Sequence, residues 1–405
     1  LSLIFLLVSA ISAQNDSRLL IGLRIVVINN PASTEVKVSL RVHSGSAFDT
    51  AGKEGTIAVL TSLLFPNPEI KEFFRDDLGG SLSWMSDYDR IQIDATARPE
   101  KFIDLMESLS LAITNPQINK ESVDKVKTVL LEGVRNTQSA PGVSVNELSA
   151  RLLVPGHPYA RPSSGSEQSL SRIDFADIMQ AEERFFTADN ATLVIDGPVK
   201  VDESLRIAKR LFGSWIKSDR KVPPTFAQPN PPTAALVSET SPHVPVGRYA
   251  IRIGMRSPAI IDTEFLAHEA MSIIALNRTK KLGIENIVSA SAGRRLPGIL
   301  ILGGDVDESR KALAENLPSQ IFGEEVSIAE FTAAQSSLIK RLSEQSKASQ
   351  LLDQDTFGFT KADGLAERAA KLTLGNLETY RKKILSQPFL RLIVSSREQA
   401  PVTER

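Results

Sequence analysis

The chain has 405 residues, 42% of them hydrophobic and 23% charged, which is ordinary globular composition and long enough for two sizeable cores. A formal net charge of -1 argues against the concentrated basic face that nucleic-acid binding requires, so no nucleic-acid partner is expected. No cysteine is present, which excludes disulfides and thiolate metal sites and suits an oxidising compartment.

Residues 1–13 are apolar, uncharged and end in small residues, the pattern of a signal-peptide h-region with cleavage after Ala13 or Ala10. The competing readings are a buried strand or a membrane anchor, but the run is short of the ~20 apolar residues a span needs. It also lacks the arginine of a mitochondrial presequence. Residues 24–30 and 36–42 alternate with period two, as half-buried strands do. An apolar helix is expected over 53–65, then a strand pair over 82–97. Its turn, Asp87-Tyr88-Asp89-Arg90, is most simply solvated. Helices are expected over 99–113 and 120–136, and a short apolar strand at 193–195. The proline-rich run 221–233 reads as an extended, semi-rigid linker. Beyond it the order repeats: a strand at 248–254, an apolar helix at 263–276 and a strand pair over 287–302. Helices at 307–321 and 327–345 and a strand at 390–394 complete the second copy. The fold class expected is α+β, with two homologous half-domains, each a mixed sheet packed against helices, facing each other across a cavity. The boundaries expected are a signal peptide at 1–13, a first domain at 18–218, a linker at 219–235 and a second domain at 236–405.

The segment 55–65, Gly-Thr-Ile-Ala-Val-Leu-Thr-Ser-Leu-Leu-Phe, resembles the zinc helix of the pitrilysin/insulinase-type (M16) metallopeptidases. Other landmarks follow in family order. Residues 119–132 resemble the family's second helix, and Val154-Pro155-Gly156-His157-Pro158-Tyr159 with Gly165 resembles its His-Pro-Tyr-Gly segment. Residues 184–195 resemble its Arg-Tyr-Tyr-x-Pro-x-Asn-Met-x-Leu-Val-Val passage, and Leu211-Phe212-Gly213-Ser214-Trp215 closes the series. The resemblance implies that the inverted motif His-x-x-Glu-His, two imidazoles on one helical face with a glutamate base, falls here on Ala58, Thr61 and Ser62. A methyl group cannot ligate zinc, and neutral hydroxyls are poor ligands and no base near neutral pH. Glu132 matches the third ligand position. Its bland reading is a helix carboxylate paired with Arg135 at three-residue spacing, and that reading is favoured. In the second half, the family's substrate-binding Arg and Tyr positions fall on Thr279 and Asn286, while Gly283 matches. Arg278 lies one residue early.

Other candidates read as structural. His268-Glu269 lacks the second histidine of a zincin, Ser272 standing in its place, and His268 is expected at a polar helix edge. His43 is expected to be a satisfied turn residue, His157 structural, and His243 sits beside the linker. Asn15, Asn190 and Asn277 begin Asn-x-Ser/Thr triplets that look incidental.

What the resemblance implies is a catalytically dead relative with no catalytic residue, metal or cofactor of its own. The expected role is a non-catalytic subunit of a heteromeric M16-type peptidase, exported to a bacterial periplasm, with no transmembrane span in the mature chain. It would complete the chamber and bind extended peptide for an active homologue carrying His-x-x-Glu-His, as a heterodimer. The alternative is a structural core subunit of a membrane-associated complex without proteolytic role.

Overall fold

The computed structural model describes residues 14–138, 141–218, 222, 227–228, 230, 233, 235–359 and 364–397. The apolar segment 1–13 and most of the proline-rich run lie outside the described residues. The first half carries β1 (Gln14–Arg18), β2 (Arg24–Asn29), β3 (Val36–Val42), α1 (Thr56–Leu63), α2 (Ile70–Asp76), β4 (Ser81–Ser86) and β5 (Ile91–Ala97). It continues through α3 (Phe102–Thr114), α4 (Lys120–Gln138), α5 (Pro141–Leu153), α6 (Glu167–Arg172), α7 (Phe175–Phe185), β6 (Ala191–Gly197) and α8 (Val201–Phe212). The second half carries β7 (Ala235–Ser241), β8 (Arg248–Ser257), α9 (Phe265–Lys281), β9 (Glu285–Ala292) and β10 (Gly298–Asp307). After these come α10 (Leu313–Phe322), α11 (Ile328–Ser343), α12 (Lys347–Phe357), α13 (Leu365–Ala370), α14 (Leu374–Ser386) and β11 (Leu390–Ser396).

Polar residues just ahead of apolar-periodic runs set several helix starts. The Asp174 carboxylate accepts from the Asp177 N–H at 3.0 Å to open α7. Ser327 and Glu330 satisfy each other's backbone N–H groups at 3.2 and 3.1 Å to open α11.

The strands form a six-stranded sheet, β1-β2-β6-β3-β5-β4, and a five-stranded sheet, β7-β11-β8-β10-β9. In the first, β2 runs parallel to β6 and the remaining pairs are antiparallel. In the second, β7 runs parallel to β11 and the rest are antiparallel. Without β1, the two orders superpose strand for strand. Helices correspond likewise, α1 with α9, α4 with α11, α5 with α12, and α7 with α14. This is the α+β duplication expected. β7 is not among the expected strands; it is an edge strand with mostly exposed side chains, so its period-two signal is weak.

Each sheet buries one face under its own helices. Ile25, Val27, Val38, Leu40, Leu193 and Ile195 pack against Leu60, Leu63, Leu105 and Phe212 in the first half. Ile251, Ile253, Leu300 and Leu302 pack against Phe265, Met271 and Leu317 in the second. The opposite faces are covered by exchange. α5 lays Val145, Ala150 and Leu153 on Ala250, Leu392, Ile299 and Ile301 of the second sheet, while α12 lays Ala348, Leu351 and Leu352 on Val26, Ile28 and Val194 of the first. Between the halves, a cavity of about 140 Å³ is bounded by Tyr88, Asn146, Glu147, Arg161 and the Ala290–Ala292 backbone region. Among the described residues, no helix is long and apolar enough to cross a membrane.

Candidate functional site

α1 begins at Gly55, whose φ of 97° lies in the left-handed region that glycine occupies without strain. Asp49 accepts from the N–H groups of Gly55 and Ile57 at 2.8 and 3.0 Å, satisfying donors at the helix start. Burial pushes its carboxyl up to about 7, against the pull of those two donors. Along the helix, Ala58 and Ser62 stand at i and i+4 and so share a stripe, and Phe65 follows just past the helix end at Leu63. Ala58 is 8% exposed and Thr61 2%, while Ser62 is half-buried. The Thr61 hydroxyl donates to the Ile57 carbonyl at 2.7 Å, so its proton is already committed within the helix.

β4 lies beside α1 as the outer strand of its sheet and, among the described residues, is paired on one side only, with β5. Leu82 and Trp84 point toward the helices; Ser81, Ser83 and Met85 are exposed on the other face. The Trp84 ring packs 4.9 Å from that of Phe65, centroid to centroid, and the Lys71 ammonium stands 4.5 Å over the indole.

Glu132 is exposed on α4. Its expected pairing with Arg135 is not what forms: Arg135 donates instead to Glu167 on α6, with Nε to Oε1 at 2.9 Å. Tertiary approach of α6 outcompetes the three-residue spacing. A zinc ion is not matched by this donor set, since α1 offers a methyl, a committed hydroxyl and the Ser62 hydroxyl, and the α4 position that the resemblance aligns with a third ligand adds only the exposed Glu132. Among the described residues, no group of three or more His, Cys, Asp or Glu side chains could hold a metal ion.

In the second half, Thr279 is fully buried and donates to the Ala275 carbonyl at 2.7 Å. Asn286 has a φ of 44° and donates to Asp305 at 2.9 Å. Arg278 is occupied by the Ile321, Glu324 and Glu325 carbonyls and by both oxygens of Glu330 at 2.9 Å, pinning α9 to the start of α11. The hydrogen bonds from Arg278 hold the Glu330 carboxyl down to about 2.

One histidine is more buried than expected, and His43 is the satisfied turn residue expected. His268 is 3% exposed rather than at a polar edge; its Nδ1 lies 3.0 Å from the Tyr380 hydroxyl, and burial presses its pKa down to about 4. His43 sits where the halves meet, its ring nitrogens each 3.0 Å from the hydroxyls of Thr192 and Thr356, and burial presses its pKa down to about 3. His157 braces the Tyr159 N–H at 3.1 Å and reaches the Ala227 carbonyl at 2.9 Å. Asn190 is tied to Ser44 and to the Phe185 carbonyl, and Asn277 is exposed on α9.

The Asp87–Arg90 turn is not solvated. Asp89 is 4% exposed and accepts from the Tyr159 hydroxyl at 2.9 Å and from the Arg294 N–H, in the β9–β10 turn of the other half, at 2.9 Å. Gly293 at that turn has a φ of 80°, and a Cβ there would fall 2.0 Å from the Tyr159 ring. Nearby, Arg41 of β3 donates to Asp353 of α12 at 2.5 Å and to Gln92 at 2.6 Å, and Arg90 donates to the same Asp353 oxygen at 3.0 Å. Asp355 pairs with Arg24 and accepts from Thr192 at 2.6 Å. The signal for this network was present in the sequence as Ser-Leu-Arg-Val around Arg41 and Ala-Ile-Arg-Ile around Arg252, an arginine at the same place in both copies.

Residues 24–162 match the family model described as Insulinase (Peptidase family M16), and residues 172–266 match that described as Peptidase M16 inactive domain. Curated relatives include an uncharacterized zinc protease of Rickettsia bellii, 23% identical over 212 residues covering 51% of each chain. The uncharacterized zinc protease YmxG of Bacillus subtilis is 22% identical over 200 residues covering 48% of each. The chain spans about half the length of the curated relatives it matches. Among solved structures, a peptidase M16 inactive domain from Pseudomonas fluorescens superposes with a TM-score of 0.80 at 13% identity, covering 95% of this chain and 98% of that one. A protease from Helicobacter pylori gives 0.81 at 16% identity, covering 95% and 100%. The first half of the periplasmic protease PqqL from Escherichia coli gives 0.67 at 15% identity, covering 95% and 92%. At these identities the structural likeness is one of fold.

Proposed function

Since this chain belongs to the insulinase-type peptidase family M16, we propose that it is a non-catalytic member which binds extended peptide for an active homologous partner. The observation that carries this reading is the chemistry of α1. Ala58, Thr61 and Ser62 stand on the helix that resembles the zinc helix, and none supplies the imidazole or carboxylate that metal-assisted hydrolysis needs. Matched relatives carry the name zinc protease, and on this reading the chain departs from them. Glu132, exposed on α4, is the residue left from the ligand set.

Binding survives the loss of the metal because a strand edge grips peptide through its backbone. β4, paired on one side only and carrying exposed Ser83 and Met85, suits an added strand beside α1. The eroded positions Thr279 and Asn286 make backbone pairing, rather than an Arg/Tyr clamp, the principal contact. We place the domains at 18–218 and 236–405, joined by 219–235, with export directed by 1–13; the periplasmic fold neighbour from E. coli supports that compartment.

Purifying the tagged chain from its native envelope and identifying what co-elutes at equal stoichiometry tests the reading. A homologue bearing His-x-x-Glu-His is expected. Integral-membrane subunits instead would favour the structural-core role, and a chain that elutes alone would contradict both.

A further inference from the structure

The space beside α1 is not left open by the small residues along its stripe. Ala58 and Ser62 are far smaller than imidazoles, and a close-packed protein does not keep the resulting void. Just past the end of α1, three residues beyond Ser62, Phe65 meets the indole of Trp84, which projects from edge strand β4 on its helix-facing side. The ring planes are inclined by 31°, and the Lys71 ammonium of α2 stands 4.5 Å over the same indole. Phe65 and Lys71 thus both contact the indole, which joins the end of α1 to the sheet edge.

We infer that Trp84 is a plug: its indole occupies the cleft between the α1 stripe and β4, closing this face to a metal ion by a side chain as well as by the missing ligands. The inference rests on the assignment of α1 to the place of the zinc helix. It makes the loss of activity a two-step matter, in which restoring the ligands alone does not restore the site. It also divides the labour on β4: the helix-facing side is filled, and peptide is engaged through the outer backbone edge and the exposed Met85 side.

The test uses the full chain with zinc as its sole probe. A variant carrying Ala58→His, Thr61→Glu and Ser62→His is compared with the same variant plus Trp84→Ala, by chelator competition for zinc and by the absorption of bound cobalt. Thermal melting verifies that both fold. If Trp84→Ala unfolds β4, Trp84→Val, a branched residue suited to a strand, replaces it. The plug predicts that removing the indole tightens zinc binding by at least about tenfold, the scale on which groups surrounding metal ligands act. Equal affinity with and without Trp84, or no binding in either, would overturn it. Neither result bears on the partner experiment, which uses the unaltered chain.

Discussion

The two seams between the halves are built from corresponding parts and hold by different chemistry. Where α12 lies on the first sheet, Arg41 meets the carboxylate of Asp353, with both side chains 5% exposed or less. Where α5 lies on the second sheet, Arg252 occupies the corresponding position and meets the amide of Asn146 at 3.0 Å. Its nearest carboxylate, Asp305, stays 3.8 Å away, and its Nη2 has no hydrogen-bond partner among the described residues. Burial presses the Arg252 pKa down to about 10. The pockets at the starts of the corresponding helices also differ. Beside α9 a cavity of about 390 Å³ is lined by Arg256, Asp262, Glu264, Tyr380 and Lys383. Beside α1 the counterpart shrinks to about 50 Å³ around Phe48, Asp49, Lys53 and Asp177. A duplicated fold keeps the places of its contacts while the residues filling them diverge, so one half cannot be read off the other.

The comparison breaks most visibly at Asp353. Asp353→Ala removes the carboxylate that Arg41 bonds in the seam and leaves Arg90 with Asp87 alone, and should cost about 3–5 kcal/mol by denaturant unfolding. Asn146→Ala on the other seam removes one hydrogen bond to a charged group and should cost about 1.5–3 kcal/mol. Equal losses would show that the seams are energetically alike. Next in size are the apolar contacts: Leu351→Ala and Leu153→Ala should each cost about 2–5 kcal/mol in the same measurement, as both side chains are buried across a seam.

Acid should act through the buried histidines. His43 lies against Asp355, Arg41 and Arg295, and its folded pKa of about 3 is below the ordinary 6.5. The unfolded chain therefore binds the extra proton, so this contribution is complete above pH 6.5 and is lost as pH falls toward 3. One such proton corresponds to about 1.4 kcal/mol per pH unit. His43→Asn should flatten the stability profile across that window, whereas an unchanged slope would mean that His43 is charged in the fold. The smallest effect is a gain: Asn146→Asp gives Arg252 a carboxylate like that facing Arg41, and should add about 1 kcal/mol, the difference between a neutral and a charged acceptor.

Much of the fold was legible because it is local. The alternation of Val36, Val38 and Leu40 marks β3, and the repeat of strand, helix, hairpin and helices marks the duplication. What escaped depends on partners distant in sequence. Nothing in the amphipathic pattern of α5 or α12 says that each covers the other half's sheet. The Asp87–Asp89 turn reads as solvated until Arg294 and Tyr159 arrive to bury it. Arg135 has a suitable neighbour at three residues and takes Glu167 instead. At the proposed site, Ala58, Thr61 and Ser62 were nameable from the resemblance of their segment to the zinc helix. Trp84 was not, because its role comes from standing across the cleft from Phe65.

The most direct test of the account is to purify the unaltered chain without chelator, quantify its zinc, and assay it against extended peptides for both binding and cleavage. Trp84 and Trp215 are the tryptophans of the sequence and Trp215 is buried, so a change in emission that disappears in Trp84→Phe reports binding along β4. The account predicts substoichiometric zinc, no cleavage, and saturable binding. Zinc at one equivalent with chelator-sensitive cleavage would contradict it.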